Sequence, residues 1–307
     1  MGHAVKRKCR KVRRLTVEAP YDTLKKKQEG MAVVQNILPH VYHNTFECRA
    51  AQPNDLLFIF QDDTVLLRVT DNQLTLPRIG ELPEVKSEEC RSLFSVDDQW
   101  YAMWKDHTMD PPEGFDYYGV RQYREFRPME RLFPCAIAGS LNRWYRDNRF
   151  CGRCGAELRD SDTERALVCP QCGKTLYPKI CPAVIVAVRN GDRLLLTKYA
   201  GRQLKTYALI AGFNEIGETI EETVHREVWE EVGLHVKNLQ YYKSQPWVFT
   251  DTLLMGFYCD LDGDSRITLQ ESELSAGAWV SRGELPEDTA HLSLTAEMIE
   301  QFRLGKF

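Results

Sequence analysis

Residues 212–234 carry the most informative pattern in the chain, G-F-N-E-I-G-E-T-I-E-E-T-V-H-R-E-V-W-E-E-V-G-L. Glycines bracket the segment, and the residues between them favour a helix. Glu227, Glu230 and Glu231 are spaced i, i+3 and i+4, so they share a helix face about 6 Å across. Carboxylates this close repel one another. A divalent cation bound between them makes the cluster favourable. Hard oxygen ligands suit Mg²⁺ or Mn²⁺, and those ions suit a substrate that brings phosphates.

The same segment resembles the Nudix box, G-x5-E-x7-R-E-U-x-E-E-x-G-U, where U is an apolar residue. Every fixed position of that pattern is filled, by Gly212, Glu218, Arg226, Glu227, Val228, Glu230, Glu231, Gly233 and Leu234. The alternative interpretation is an acidic surface helix. Such a helix does not require the two glycines of the pattern, Gly212 and Gly233. The resemblance implies a hydrolase of nucleoside diphosphates linked to another group. It also implies an α+β fold in which an α/β/α sandwich surrounds a mixed sheet.

The resemblance assigns roles to individual residues. The catalytic Mg²⁺ or Mn²⁺ ligands correspond to the backbone oxygen of Ala211 and to Glu227, Glu230, Glu231 and Glu273. Glu231 is also the candidate for steering the attacking water. Arg226 can pair with a glutamate of the box and hold it in place.

Composition limits the class of protein. A length of 307 residues predicts about two domains, and 43% apolar residues suffice for ordinary cores. The formal net charge of -4 excludes a globally basic nucleic-acid binder. Neither a transmembrane run of about 18 apolar residues nor a secretory signal is present, so we expect a cytoplasmic protein without membrane partners.

Four segments are predicted. Residues 1–44 form a basic N-terminal tail, which is either disordered or a localisation or RNA-contact segment. Residues 45–147 form a small α+β N-terminal domain, residues 148–178 a zinc ribbon, and residues 179–307 the Nudix domain.

Local patterns predict the elements inside these segments. Strands are expected at Leu56–Phe60, Thr64–Val69, Trp100–Trp104, Ala183–Val188, Arg193–Thr197, Tyr207–Ala211, Leu239–Tyr242, Leu253–Cys259 and Ala278–Val280. Helices are expected over Ile137–Tyr145, over the box and over Thr295–Phe302. Thr219 and Glu222 have the spacing of a capping box, and Gly233 suits the helix end.

The ten cysteines divide into a motif and a remainder. Cys151, Cys154, Cys169 and Cys172 form a C-x2-C-x14-C-x2-C pattern, typical of a structural zinc site with one ion per chain. Gly155 and Gly173 follow each pair, where the backbone can require positive φ. A redox dithiol pair is the alternative. The other six cysteines show no ligand spacing and are expected to be ordinary thiols.

A second motif narrows the range of possible substrates. Residues 244–254, S-Q-P-W-V-F-T-D-T-L-L, resemble the S-Q-P-W-P-F-P-x-S-L-M signature of the NADH pyrophosphatase branch, also known as the NAD-capped RNA hydrolases. The ribbon and the N-terminal domain belong to the same branch. Val248 and Thr250 replace two family prolines, and Thr252 replaces a serine. Losing two prolines removes fixed φ angles and loosens the loop.

Substrate contacts follow from this resemblance. Tyr177 and Phe213 resemble an aromatic pair that sandwiches the nicotinamide ring, although core packing is an alternative for each. Further contacts correspond to Glu164, Gln245, Thr252, Thr295, Arg78 and Arg121. The two arginines have a simpler alternative as solvated surface residues.

The resemblance therefore predicts hydrolysis of NADH or NAD⁺ to the nicotinamide mononucleotide and AMP, with removal of NAD caps from RNA by the same cut. A broader nucleoside diphosphate hydrolase acting on ADP-ribose is the first alternative. A zinc-ribbon RNA-binding module on an inactive scaffold is the second, and its mark would be a degraded box. The family also implies a homodimer.

Overall fold

The structure, a computed structural model, describes residues 35–105, 108–199, 207–270, 274–285, 287 and 293–307. Most of the predicted basic tail, residues 1–34, lies outside these ranges. The described residues form two compact units, one of residues 37–179 and one of residues 35–36 with 180–307. Within the described ranges, no helix combines the length and apolarity that a membrane crossing needs.

The first unit contains two small sheets besides the sheet of the ribbon. Its strands are β1 (Tyr42–His43), β2 (Leu56–Phe58), β3 (Phe60–Gln61), β4 (Thr64–Thr70), β5 (Gln73–Thr75), β6 (Cys90–Val96), β7 (Gln99–Trp104) and β8 (Asp116–Gly119). One sheet has the order β1-β6-β7-β2, and the other has the order β3-β4-β5 with β8 paired to β4. The predicted strand at Leu56–Phe60 is divided at Ile59 into two strands that enter different sheets.

Two helices and a ribbon complete this unit. A short helix α1 spans Val120–Tyr123, and a long helix α2 spans Met129–Asp147. The ribbon strands β9 (Arg159–Asp160), β10 (Leu167–Val168) and β11 (Thr175–Leu176) form an antiparallel sheet in the order β11-β10-β9. Trp144 of α2 packs with Cys151, Leu167 and Cys169, so the helix and the ribbon share a core.

The second unit is built on one six-stranded sheet. Its strands are β12 (Cys181–Asn190), β13 (Arg193–Tyr199), β14 (Ile210–Phe213), β15 (His235–Trp247), β16 (Thr252–Asp262) and β17 (Leu274–Ser281). The order is β15-β16-β12-β13-β17, with β14 also paired to β12. The β12–β16 pair is parallel and the others are antiparallel, which gives a mixed sheet.

Alternation along β12 explains why helices cover both faces. Val184 and Val186 pack with Val224 and Val228 of helix α3 (Ile220–Val232). Ile185 and Ala187 point to the opposite face and pack with helix α4 (Leu294–Arg303) through Leu294, Met298 and Phe302. A strand whose successive side chains are all apolar is suited to burial on both faces. The predicted α/β/α sandwich is confirmed.

Strand β15 lies at one end of the sheet order and is irregular. Its pairing with β16 shifts between Lys237 and Gln240, and again between Tyr241 and Lys243. Asn238, inside the first irregularity, has a φ of 54°. These bulges interrupt an otherwise long ladder of 13 residues.

Several predicted boundaries were wrong in detail. The strand expected at Tyr207–Ala211 is observed at Ile210–Phe213, because it follows the pairing of Ile210 with Val186 and of Phe213 with Ala183. Helix α2 begins at Met129, well before the predicted Ile137, and includes Pro134. Cys48 is disulfide-bonded, so the expectation of an ordinary thiol was wrong for that residue.

Candidate active site and zinc centre

Helix α3 is fixed at both ends by the residues that the sequence indicated. The Glu222 backbone N–H donates to Oγ1 of Thr219 at 3.2 Å, and the Thr219 N–H donates to Oε2 of Glu222 at 2.7 Å. These two bonds form the predicted capping box. At the other end, Gly233 takes a left-handed conformation with φ 67°, and its N–H donates to the Trp229 carbonyl oxygen. The helix register, and hence the carboxylate cluster, is set locally.

Arg226 is the centre of the site's polar network. Its Nε donates to Glu218 Oε1 at 2.6 Å, and its Nη1 donates to Glu227 Oε1 at 2.7 Å and to Glu230 Oε2 at 2.9 Å. Nη2 donates to the Phe213 carbonyl oxygen at 2.8 Å. One guanidinium therefore ties the helix to the preceding loop and to the end of β14, and it orients two of the predicted metal ligands.

The electrostatic effect of this network falls most clearly on Glu218. Hydrogen bonding to Arg226 lowers the pKa of Glu218 to about 2, and the Glu215 N–H and the Thr223 hydroxyl act in the same direction. In return, hydrogen bonding to Glu218 raises the pKa of Arg226, with Glu227 and Glu230 adding to the effect. Glu218 is therefore a permanently charged anchor for the arginine.

The carboxylates differ in exposure. Glu231 is 1% exposed and Glu227 is 9% exposed, whereas Glu230 lies at the surface. The backbone of Gly212 passes so close to Glu227 that a Cβ at this position would overlap the carboxylate carbon and both oxygens. Glycine is therefore required to let strand β14, which also contains Ala211, approach the helix.

The donor set fits a hard divalent cation. Three carboxylates at helical spacing lie beside a strand that a larger residue would push away, and the Arg226 guanidinium contacts two of them. Oxygen ligands in this number match the preference of Mg²⁺ or Mn²⁺. Glu273, the predicted distant ligand, lies outside the described residues.

The four cysteines of the ribbon converge on one point. All four Sγ atoms lie within 4.8 Å of one another, with 3.7 Å between Cys151 and Cys172 and 3.4 Å between Cys154 and Cys169. A tetrahedral zinc with bonds of about 2.3 Å requires sulfur separations of about 3.8 Å. The sulfurs fit a closed structural zinc site, as predicted.

Backbone geometry supports the two knuckles of this site. Gly155 and Gly173 have φ values of 75° and 71°, and their N–H groups donate to the carbonyl oxygens of Cys151 and Cys169. The predicted positive φ at both glycines is confirmed. The Arg153 N–H donates to the Cys151 sulfur and lowers the pKa of that thiol, which favours the thiolate that zinc binds.

Two predicted substrate residues meet in the first unit. The Tyr177 hydroxyl donates to Glu164 Oε1 at 3.0 Å, and the Tyr177 side chain is 59% exposed. Hydrogen bonding to the Glu164 carboxylate raises the pKa of this tyrosine. An exposed ring with a fixed hydroxyl differs from a core aromatic, so the packing alternative does not describe Tyr177.

Phe213 and the residues of the second motif have contrasting environments in the second unit. Phe213 is 56% exposed at the end of β14. Gln245 is fully buried, and its Oε1 accepts from the Leu294 N–H at 2.7 Å at the start of α4. Thr252 is 6% exposed, and Thr295 lies half-buried in the first turn of α4.

The predicted basic contacts lie in the first unit. Arg78 donates to the Asn54 carbonyl oxygen and to Gln99 Oε1, and it lines an open cavity of about 720 Å³ with Arg49 and Trp100. Arg121 belongs to α1, and its side chain lies outside the described set.

Comparison with known proteins agrees with this geometry. The profile of the NUDIX domain matches residues 179–302, and that of the NADH pyrophosphatase zinc ribbon domain matches residues 146–177. The NAD-capped RNA hydrolase NudC of Yersinia pestis (strain Pestoides F) is 38% identical over 218 residues, which cover 70% of this chain and 83% of the relative. The chain belongs to the NudC family of Nudix hydrolases. The NudC protein of Yersinia pseudotuberculosis serotype O:1b (strain IP 31758) matches with the same identity and coverage.

Among solved structures, a NUDIX hydrolase from Nitrosomonas europaea aligns with a TM-score of 0.44 at 21% identity, covering 52% of this chain and 92% of that one. Membership of the NudC family makes the chain a hydrolase with a zinc-binding ribbon.

Sequence reasoning assigned no role to three residues of this NudC-family site. Asn214 Nδ2 donates to the Thr223 hydroxyl at 2.7 Å, and that hydroxyl donates to Glu218 Oε2 at 3.0 Å. These side chains hold Glu218 against Arg226. The fixed glutamate of the box was the available signal for Glu218, whereas Asn214 and Thr223 occupy variable positions of the pattern.

Proposed function

We propose that this protein hydrolyses the diphosphate bond of NADH or NAD⁺ to give the nicotinamide mononucleotide and AMP, and that it removes NAD caps from RNA by the same reaction. The observation that carries the proposal is the complete carboxylate and arginine network on α3. The relatives named NAD-capped RNA hydrolase and the zinc ribbon of NADH pyrophosphatase type support the choice of substrate.

In this proposal the chain's own groups have distinct tasks. Glu227, Glu230, Glu231 and the Ala211 carbonyl oxygen hold Mg²⁺ or Mn²⁺, with Glu273 as a further ligand. When bound, the ions neutralise charge on the diphosphate oxygens and acidify a water molecule. Glu231 accepts the proton of the attacking water, and Arg226 keeps Glu227 and Glu230 in position.

The substrate side of the proposal uses exposed groups. The free ring of Phe213 and the fixed ring of Tyr177 offer stacking surfaces to the nicotinamide, and Glu164 sets the Tyr177 hydroxyl. Thr252, Thr295, Arg78 and Arg121 are proposed as polar contacts with the substrate. Because Gln245 is buried and engaged with α4, we place its effect on the helix start rather than on the ligand directly.

Assembly and location complete the proposal. We infer a homodimer, supported by two exposed apolar residues of the second unit, Ile180 at 68% and Ile216 fully exposed. The four-segment division at residues 44, 147 and 178 and a cytoplasmic location stay predictions of the sequence. Cell fractionation tests the location, and limited proteolysis tests the division.

Metal-dependent release of AMP from NADH, compared with release from ADP-ribose, tests the proposed activity. We expect a clear preference for NADH and a selective loss of that preference in Phe213→Ala and Tyr177→Ala. A ring-stacking contact corresponds to about 0.5–1.5 kcal/mol. Equal turnover of both substrates would favour the broader nucleoside diphosphate hydrolase, and no turnover of either would favour the inactive scaffold.

A further inference from the structure

The loop that carries Glu164 is closed by its own hydrogen bonds. We call residues 161–166, between β9 and β10, the ribbon loop. Its ends are joined by the Ser161 N–H, which donates to the Ala166 carbonyl oxygen at 2.9 Å. Inside it, the Thr163 N–H donates to Oγ of Ser161 at 3.3 Å, and the Ala166 N–H donates to the Glu164 carbonyl oxygen at 2.9 Å. The backbone on both sides of Glu164 is therefore restrained within the loop.

The carboxylate of Glu164 depends on that backbone for its position. Among the residues that the structure describes, this carboxylate makes no hydrogen bond other than the one that it accepts from the Tyr177 hydroxyl at 3.0 Å. Both residues are exposed, so burial in a core does not fix their side chains. Any contact that fixes the ribbon loop therefore also fixes the point to which the Tyr177 hydroxyl is bonded.

Two contacts attach the ribbon loop to strand β6 of the same unit. Directly before the loop, the Asp160 carboxylate accepts from Nε of Arg91 at 2.9 and 3.1 Å. Near the other end of the loop, Arg165 donates through Nη2 to the Leu93 carbonyl oxygen at 2.6 Å and through Nη1 to Asn44 Oδ1 at 2.5 Å. Arg91 and Leu93 both belong to β6. The loop is thus held on one strand at two points that lie two residues apart.

A bulge in β6 supplies the backbone acceptor for Arg165. The residues on either side of Leu93 are paired with consecutive residues of β7, whereas Leu93 itself is skipped. The extra residue of a bulge is left out of the strand ladder, so its carbonyl oxygen can serve another partner. In this structure that partner is the guanidinium of Arg165.

The two acceptors suit an arginine and no other side chain. A guanidinium presents its N–H groups in one rigid plane, so Arg165 bonds a side-chain amide and a backbone carbonyl at the same time. Hydrogen bonds from a charged donor are also stronger than neutral ones. A lysine at this position would keep the charge and lose the planar fork.

We propose that Arg165 is a positioning residue for NADH: it fixes the ribbon loop on β6, and the loop in turn fixes Glu164 and the Tyr177 ring. This inference rests on the proposed function, in which Tyr177 offers a stacking surface to the nicotinamide. It gives the sheet that contains β6 a part in substrate binding without any contact between that sheet and the substrate.

Arg165→Lys tests this role, because lysine retains the positive charge. We expect kcat/KM for NADH to fall roughly two- to tenfold, the scale of one ring-stacking contact, and mainly through KM. Hydrolysis of ADP-ribose, which has no nicotinamide ring, should change little. A purely structural role for Arg165 would instead lower kcat on both substrates by the same factor and leave both KM values unchanged.

Two further variants support the comparison. Asn44→Ala removes one acceptor at an exposed position outside the ribbon, so it should fold normally and show a smaller loss with the same selectivity for NADH. Arg159→Lys is the matched control, because it makes the same change at an exposed position of β9 and should affect neither substrate. Each variant should retain one zinc per chain, which shows that the ribbon is intact.

The Tyr177 hydroxyl provides a measurement that does not depend on turnover. Hydrogen bonding to Glu164 raises the pKa of Tyr177, so that pKa should fall toward its ordinary value if Arg165→Lys displaces Glu164. NMR titration of ring-labelled tyrosine measures this change, with the signal assigned from Tyr177→Phe. In Tyr177→Ala, the added change Arg165→Lys should cause no further loss on NADH, since the ring that it positions is already absent.

Three results would overturn the proposal: an unchanged pKa of Tyr177 in Arg165→Lys, an equal loss on NADH and ADP-ribose, or no loss on either. A failure of the wild type to cleave NADH would instead refute the proposed function. The titration would still test the link from Arg165 to Tyr177 in that case, so the two failures are distinguishable.

Discussion

Turnover should depend most on Glu231, whose carboxylate is buried. Glu231→Gln keeps the shape of the side chain and removes its charge and its ability to accept a proton. We expect hydrolysis of NADH to be nearly abolished while the thermal unfolding midpoint changes little. Glu221→Gln, an exposed glutamate of the same helix, serves as the matched control. Activity within about tenfold of the wild type, or 1.4 kcal/mol of barrier, would remove Glu231 from the proposed mechanism.

The close approach of Gly212 to Glu227 yields a second prediction. In Gly212→Ala the new methyl group overlaps the carboxylate, so strand β14 or the glutamate must move. We expect loss of activity together with a destabilisation of about 1–3 kcal/mol, the usual cost of overpacking. Urea unfolding and NADH hydrolysis measure the two effects.

Gly283→Ala is the control for that change, since Gly283 has open space around its Cβ position and no positive φ. A Gly212→Ala protein with normal activity would show that the glycine is not needed for the approach of β14.

The lowered pKa of Glu218 predicts that the free energy of unfolding depends on pH. Its pKa is about 2 in the folded protein against an ordinary value of 4.5, so its contribution is fully present above pH 4.5. That contribution is lost as the pH falls from about 4.5 toward 2, because the unfolded chain then binds the proton more readily. We expect Glu218→Gln to be less stable than the wild type at pH 7, with the difference shrinking over that window. Denaturant titrations at several pH values measure it, and a constant difference would contradict the assignment.

At the scale of elements, the ribbon depends on its metal. Zinc in small structural sites has an apparent binding free energy of about 10–16 kcal/mol at neutral pH. We expect Cys154→Ser to lose the ion and to loosen the core that the ribbon shares with Trp144 of α2. Elemental analysis and thermal unfolding report the two losses. Cys181→Ser, a partly exposed free thiol, should retain one zinc per chain.

Elements with local signals were predicted well, and those set by distant partners were not. The cap of α3 was readable because Thr219, Glu222 and Gly233 act on their own helix ends. Strand β14 was misplaced because its ends depend on pairing with β12. Helix α2 was predicted too short. Pro134 removes one backbone donor, which is unfavourable inside a helix, and the burial of the helix's first turns within the first unit is a tertiary effect that the local sequence does not show.

The same distinction applies to the site. The glutamates and cysteines follow fixed spacings, whereas the link from Gln245 to the Leu294 N–H spans 49 residues and has no sequence signal. Thr250 and Thr252 are close in sequence, but only the geometry of the turn shows that their hydroxyls meet.

For the whole molecule we predict association of two chains. Light scattering should give twice the 35.5 kDa of one chain. Ile180→Glu and Ile216→Glu should weaken the dimer, because each places a charge where we propose an apolar contact. Leu304→Glu, at another exposed position of the second unit, is the control. A monomer in the wild type would exclude this assembly.

The bulges of β15 have a consequence for unwanted association. A straight terminal strand would offer an unbroken row of N–H and C=O groups on which the edge of another molecule could build a continuous sheet. The irregular register around Asn238 and Tyr241 breaks that row at two points, and lysines stand beside both breaks. The longest strand among the described residues is therefore a poor template for fibrillar growth, and a deletion that restored its regularity would make the protein prone to aggregate.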